Sequence, residues 1–162
     1  AADSGEVLFL PYLSGERCPH NDVNVRGAFL GLSHTTTRAE MSRAVMEGVA
    51  FAIRDCLEIA KQGGVCPESV SLCGGGARSA TWRQIFADVL NLPIRIPKTE
   101  QGPAYGAAIL AMVGCGAYAS VEDAAKRVTG EKQVILPEKS AVLRMETQYR
   151  RFRKIYSALK EI

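Results

Sequence analysis

The chain has 162 residues, with 47% hydrophobic and 23% charged side chains, a composition that fits one globular domain with a core of its own. A formal net charge of +3 is too small to argue for nucleic acid or an anionic membrane as partner. No apolar run reaches the length of a membrane span and no signal-peptide pattern stands at the start, so neither a membrane nor a nucleic-acid partner is expected.

Five cysteines, Cys18, Cys56, Cys66, Cys73 and Cys115, form no C-x-x-C pair. With only His20 and His34 beside them, metal-ligand spacing is absent. Reduced, mostly buried thiols in a cytoplasmic protein are expected. The chain opens at Ala1 without methionine and runs almost directly into a strand, so a piece of a longer protein is expected.

Residues 7–13 read as an opening strand, placed at an edge or ended by Pro11, which lacks a ladder donor. Residues 14–25 are rich in Gly, Pro, Asn and Asp and read as a loop. Its Glu16, Arg17, His20 and Asp22 either face a cleft or are held by Asx turns, the second reading being favoured. Residues 26–32 form a second short strand. Thr37 and Glu40 make a capping box that opens a helix running to about Gln62. Its expected buried stripe is Met41, Ala44, Val45, Gly48, Val49, Ala52, Cys56 and Ile59, with Arg43–Glu47 and Arg54–Glu58 pairs on the other face. Ala44, Gly48 and Ala52 admit a close neighbour.

Residues 70–92 form the most informative stretch. Val70, Leu72 and Cys73 read as a buried strand. Gly74, Gly75 and Gly76 then strip the turn of side chains and admit φ > 0. Ser79 is an N-cap for a helix from Ala80, whose Trp82, Ile85, Phe86, Val89 and Leu90 share one face. Glycine turns between a strand and a helix often receive nucleotides. Neither G-x-x-x-x-G-K-[ST] nor G-x-G-x-x-G is present, so by spacing alone ligand binding and tight packing stand level.

Ile94 and Ile96 alternate around Arg95 as a half-buried strand. Residues 99–113 form a Gly/Ala-rich helix with Pro103 in its first turn. Its smooth face, Gly102, Gly106, Ala107 and Ala111, either packs within the core or meets a second domain. Ser120 caps a short helix to about Val128, residues 129–138 read as a loop, and Met145, Tyr149, Phe152, Tyr156 and Leu159 line a C-terminal helix. The basic residues Arg150, Arg151, Arg153, Lys154 and Lys160 read as a solvated face. The order is that of an α/β domain with a mixed sheet and flanking helices.

Four segments together carry a resemblance. They are Leu10–Asp22, with Cys18 where threonine is expected; Gly27–Leu32 with Glu40–Glu47; Ser71–Ser79 with Trp82-Arg-Gln84 and Ala87-Asp88; and Gly102–Ala108. In this order they resemble the C-terminal domain of the FGGY family of carbohydrate kinases, most of all its members acting on D-xylulose. The likeness is good over residues 6–114 and weak beyond.

The resemblance implies an actin-like, RNase H-type fold in which residues 1–162 are the C-terminal, nucleotide-side half of a two-domain sugar kinase. ATP would lie in the cleft between the domains. Gly74, Gly75, Gly76, Ala77 and Ser79 would bind its adenosine part. Mg²⁺ and the phosphates would be held by segments outside this chain, and so would the pentulose and the catalytic aspartate. The isolated chain is therefore expected to be inactive, with no catalytic or metal-binding residue of its own. The implied partners are ATP or ADP and the N-terminal domain of the same kinase, with a homodimer also admissible. The alternatives are a ribulose, glycerol or gluconate kinase, a non-catalytic actin-like nucleotide-binding module, and an α/β interaction module without ligand.

Overall fold

The computed structural model describes residues 5–99 and 102–160. Strands β1 (Leu8–Leu10) and β2 (Ala28–Leu30) pair antiparallel, with Leu8 opposite Leu30 and Leu10 opposite Ala28. Pro11 ends β1 where expected. Helix α1 (Arg38–Gln62) is opened by the predicted capping box, in which Thr37 Oγ1 accepts from the Glu40 amide and Glu40 reaches back to the Thr37 amide at 2.7 Å.

Helix α1 crosses β1 at Gly48, where a Cβ would lie 2.1 Å from the Phe9 carbonyl oxygen. The expected close neighbour is therefore a strand. The buried stripe is rotated from its expected place and runs through Ala44, Glu47, Gly48, Ala50, Phe51 and Asp55, whereas Ile59 is exposed and Cys56 only half-buried. Glu47 and Asp55 enter this stripe because each has a partner. Arg43 Nε donates to Glu47 at 2.6 Å, and the Tyr149 hydroxyl donates to Asp55 at 2.6 Å. Arg43–Glu47 is thus an inward-facing pair and not an outer-face one, since a carboxylate is buried only when paired.

A second sheet has the order β3–β4–β5. Strand β3 (Val70–Ser71) runs parallel to β4 (Ile94–Pro97), and β4 pairs antiparallel with β5 (Glu131–Ile135). The central strand is β4, with Ile94 and Ile96 buried as their alternation predicts. Strand β3 is not the buried strand expected: it is at an edge, with Ser71 exposed. Residues 131–135 are not loop. The side chains of residues 131–134 are exposed and only Ile135 packs against the core, so β5 carries no hydrophobic alternation and is held mainly by its ladder to β4.

Helix α2 (Ala80–Leu90) lies between α1 and α5 (Lys139–Phe152). Ile85, Val89, Phe51, Leu10, Ile94, Met145 and Phe152 close one core that joins both sheets. Past α5 the chain bends at Arg153–Lys154 into a short α6 (Ile155–Leu159). The basic residues there are partly paired, Arg150 with Glu146 at 3.0 Å and Arg151 with Glu6 at 2.6 Å. The thiols are free but not mostly buried: Cys18, Cys66, Cys73 and Cys115 are exposed because they stand in loops and past element ends.

Candidate functional site

Between β3 and α2 the chain passes through the glycine turn. Gly74 has φ 86° and ψ −174°, a region essentially closed to any residue with a Cβ. Gly75–Arg78 then form one 3-10 turn, closed by the Ala77 amide on Gly74 O at 3.1 Å and the Ser79 amide on Gly76 O at 3.1 Å. Ser79 caps α2 as predicted, its Oγ accepting from the Trp82 amide at 3.3 Å. Gly74, Gly75 and Ser79 are exposed, Gly76 is half-buried, and Ala77 is buried.

The three glycines answer to different constraints. Gly74 is required by its backbone conformation. Gly76 is required by packing, since a Cβ there would lie 2.7 Å from Trp82 Cζ3. Gly75 is required by neither: a Cβ would meet nothing within 4 Å, and its φ is not in the left-handed region. Backbone conformation therefore explains Gly74 and packing explains Gly76, while neither accounts for Gly75.

Two side chains from the start of α2 hold this turn. The Trp82 indole packs beneath Gly76, stacks near Phe86 with ring centroids 5.8 Å apart, and donates its N–H to Met46 O of α1 at 3.2 Å. The Arg83 guanidinium donates to Ala77 O, to Arg78 O at 3.5 Å and to Gln133 of β5 at 3.1 Å. Arg83 belongs to the segment Trp82-Arg-Gln84 that carries the family resemblance, but its bonds to the turn and to β5 are visible only in the structure.

Helix α3 (Gly102–Gly114) starts nearby in sequence after β4. It is apolar all round, yet only Ile109 is buried, and its main neighbour is α4 (Val121–Val128). A Cβ at Gly102 or Gly106 would meet nothing within 4 Å, and Leu110 is 61% exposed. The smooth face therefore does not pack within the core of the described residues.

Away from the turn, a concavity of about 410 Å³ is lined by His20, Arg54, Asp55, Glu146, Tyr149 and Tyr156 among others. Its groups are largely paired with one another. Arg54 bonds Glu146 at 2.6 Å and lies 4.0 Å over the Tyr149 ring, while His20 stacks on Tyr156 at 3.6 Å. Burial pushes the Asp55 carboxyl and the Tyr12 and Tyr149 hydroxyls up, and the hydrogen bond from Arg54 holds the Glu146 carboxyl down. The loop over it is held as its composition predicted, with Glu16 accepting from the Cys18 and His20 amides and Asp22 from those of Asn24 and Val25. Among the described residues no three His, Cys, Asp or Glu side chains gather as a metal ion requires, and no helix is long and apolar enough to cross a membrane.

Residues 1–115 match the model of the FGGY family of carbohydrate kinases, C-terminal domain. The chain belongs to this family. Xylulose kinase of Staphylococcus epidermidis is 37% identical over 156 residues, which cover 96% of this chain and 32% of that protein. The crystal structure of ligand-bound xylulose kinase from Lactobacillus acidophilus superposes with a TM-score of 0.88 at 30% identity, covering 97% of this chain and 32% of that one. Gluconate kinase from the same organism gives 0.86 at 30% identity, covering 96% and 32%. The mixed α/β fold is thus the actin-like ATPase fold of FGGY sugar kinases. The chain spans about a third of the length of the curated relatives it matches.

Proposed function

We propose that this chain is the nucleotide-side domain of an ATP-dependent xylulose kinase, which transfers the γ-phosphoryl group of ATP to a hydroxyl of D-xylulose and gives xylulose 5-phosphate. The observation that carries the nucleotide side of this reading is Gly75, a glycine that neither conformation nor packing demands, on an exposed turn in an FGGY chain; the likeness to xylulose kinases supports the sugar. Gly74, Gly75, Gly76 and Ala77 present backbone to the adenosine part of ATP, and Ser79 adds a hydroxyl at the start of α2. A flat ring approaches backbone closely only where no Cβ intervenes.

The remaining parts lie in the two thirds of the relatives' length that this chain does not span. There we place the N-terminal domain with its pentulose, the carboxylate that takes the hydroxyl proton, and the groups holding Mg²⁺ and the phosphates. Phosphoryl transfer depends on all of these acting together, so residues 1–162 alone have no turnover. The exposed apolar face of α3 is the surface we assign to the N-terminal domain. Five free thiols agree with a cytoplasmic location.

Gluconate kinase superposes almost as well as xylulose kinase, so the sugar is a matter for the substrate domain and not for this turn. The test is Gly75→Val in the full-length protein. The KM for ATP is expected to rise about tenfold, equivalent to about 1.4 kcal/mol, with the sugar KM and the melting temperature unchanged. An unchanged ATP KM removes the turn from the nucleotide site. Turnover with gluconate, ribulose or glycerol but not xylulose removes the substrate assignment.

A further inference from the structure

Two of the five cysteines meet across the fold. Cys56 stands on α1 and Cys18 on the loop joining β1 to β2. The Cys56 thiol donates to the Cys18 carbonyl oxygen at 3.4 Å, across 38 positions of chain. Cys66, Cys73 and Cys115 are exposed at other places: before β3, just after it and past the end of α3.

The loop holds Cys18 in place. The Glu16 carboxylate accepts from the Cys18 amide and, at 2.7 Å, from the His20 amide. The far end is fixed by the Tyr156 hydroxyl on Asp22 at 3.0 Å and by the His20–Tyr156 stack. Opposite stands the 25-residue helix α1. Much of the ordering that a cross-link demands is therefore already present in the reduced fold.

We propose that Cys18 and Cys56 are an oxidation-sensitive pair that hydrogen peroxide closes to a disulfide, fastening the β1–β2 loop to α1. Cys18, the exposed member, attacks a peroxide oxygen as its thiolate. The O–O bond breaks, a sulfenic acid forms on Cys18, and the departing hydroxide takes the thiol's proton as water. The Cys56 sulfur then attacks the Cys18 sulfur. The S–S bond forms, the S–O bond breaks, and the leaving oxygen takes the Cys56 proton as a second water. Two thiols and one peroxide give one disulfide and two waters, with two electrons passing from sulfur to oxygen.

Burial, the neighbouring Cys18 and the Glu16 and Asp55 carboxylates disfavour an anion at Cys56 and push its thiol up to about 11. The same groups slow the second step at neutral pH, because the thiolate is the attacking form. Threonine, expected at position 18 from the family resemblance, would remove the reaction altogether.

The test uses the full-length protein, reduced, treated with hydrogen peroxide, capped with N-ethylmaleimide and digested for mass spectrometry. The expected product is a Cys18 peptide joined to a Cys56 peptide, two hydrogens lighter than the sum of the two. It runs as a monomer without reductant and returns to two labelled peptides after dithiothreitol. Cys18→Thr is expected to leave Cys56 as a labelled thiol under the same treatment. Recovery of Cys18 as a labelled thiol, as sulfinate, or joined to any other cysteine or to a second chain overturns the proposal. Each product is read directly from the wild-type protein, so the result does not depend on the nucleotide assignment.

Discussion

Replacing Gly76 with alanine puts a methyl group 2.7 Å from Trp82 Cζ3 and 2.8 Å from Cε3. An ordinary carbon–carbon contact is about 3.5 Å, so the ring must retreat by about 0.8 Å. Its retreat is opposed by the 3.2 Å hydrogen bond from Nε1 to Met46 O and by the stack on Phe86. Forcing a group into a packed site costs about 1–3 kcal/mol, and losing that hydrogen bond adds about 1 kcal/mol. We therefore expect Gly76→Ala to destabilise by about 2–4 kcal/mol, measured by urea unfolding of the full-length protein. Gly75→Ala, at the open position, should stay within about 0.5 kcal/mol of wild type. In a Trp82→Ala background the cost of Gly76→Ala should fall by at least about 1 kcal/mol, because the colliding ring is gone. An equal cost in both backgrounds would refute the collision.

Arg83→Met frees the Ala77 and Arg78 carbonyls and should raise the ATP KM severalfold with little change in sugar KM, while Arg83→Lys restores part of the loss; equal effects on both substrates in steady-state kinetics would count against a role at the turn. Gly48→Ala sets a methyl group 2.1 Å from the Phe9 carbonyl oxygen, a backbone atom that cannot rotate away. It should cost about 3 kcal/mol or more in urea unfolding, and a neutral result would mean that α1 and β1 separate freely. Asp55 titrates above its ordinary value of 3.8 because of burial. Its extra proton binding thus stabilises the fold at acid pH, and that contribution is lost as pH rises through the shifted value. Asp55→Asn keeps an acceptor for Tyr149, so its stability relative to wild type should increase from pH 3 to pH 7; a constant difference across urea melts would remove the burial account.

Features set by a local rule alone were legible in the sequence. The Thr37–Glu40 box and the Ser79 cap needed only the chemistry of neighbouring residues. The Asx-type hydrogen bonds of Asp22 and the buried alternation of Ile94 and Ile96 are of the same kind. The family was legible for a related reason: several spaced segments agreed in order, each carrying glycines or caps whose roles are local.

Long-range pairing was not legible. Four of the five side chains of strand β5 are exposed, so its hydrogen bonds to β4 left no hydrophobic alternation to read. The rotation of α1 depended on partners for Glu47 and Asp55, and Tyr149 lies 94 positions away from the latter.

By itself, then, the sequence determined the caps, the glycine turn and the family, because these rest on local signals within a few positions. Only the tertiary structure separated the three glycines. The same turn can be built with Gly76 free or blocked, and that choice was made by Trp82, which reaches back to a carbonyl of α1, and by Arg83, which ties the turn to β5. The role of a missing side chain is set by what would otherwise occupy its space, and that neighbour is fixed by the fold.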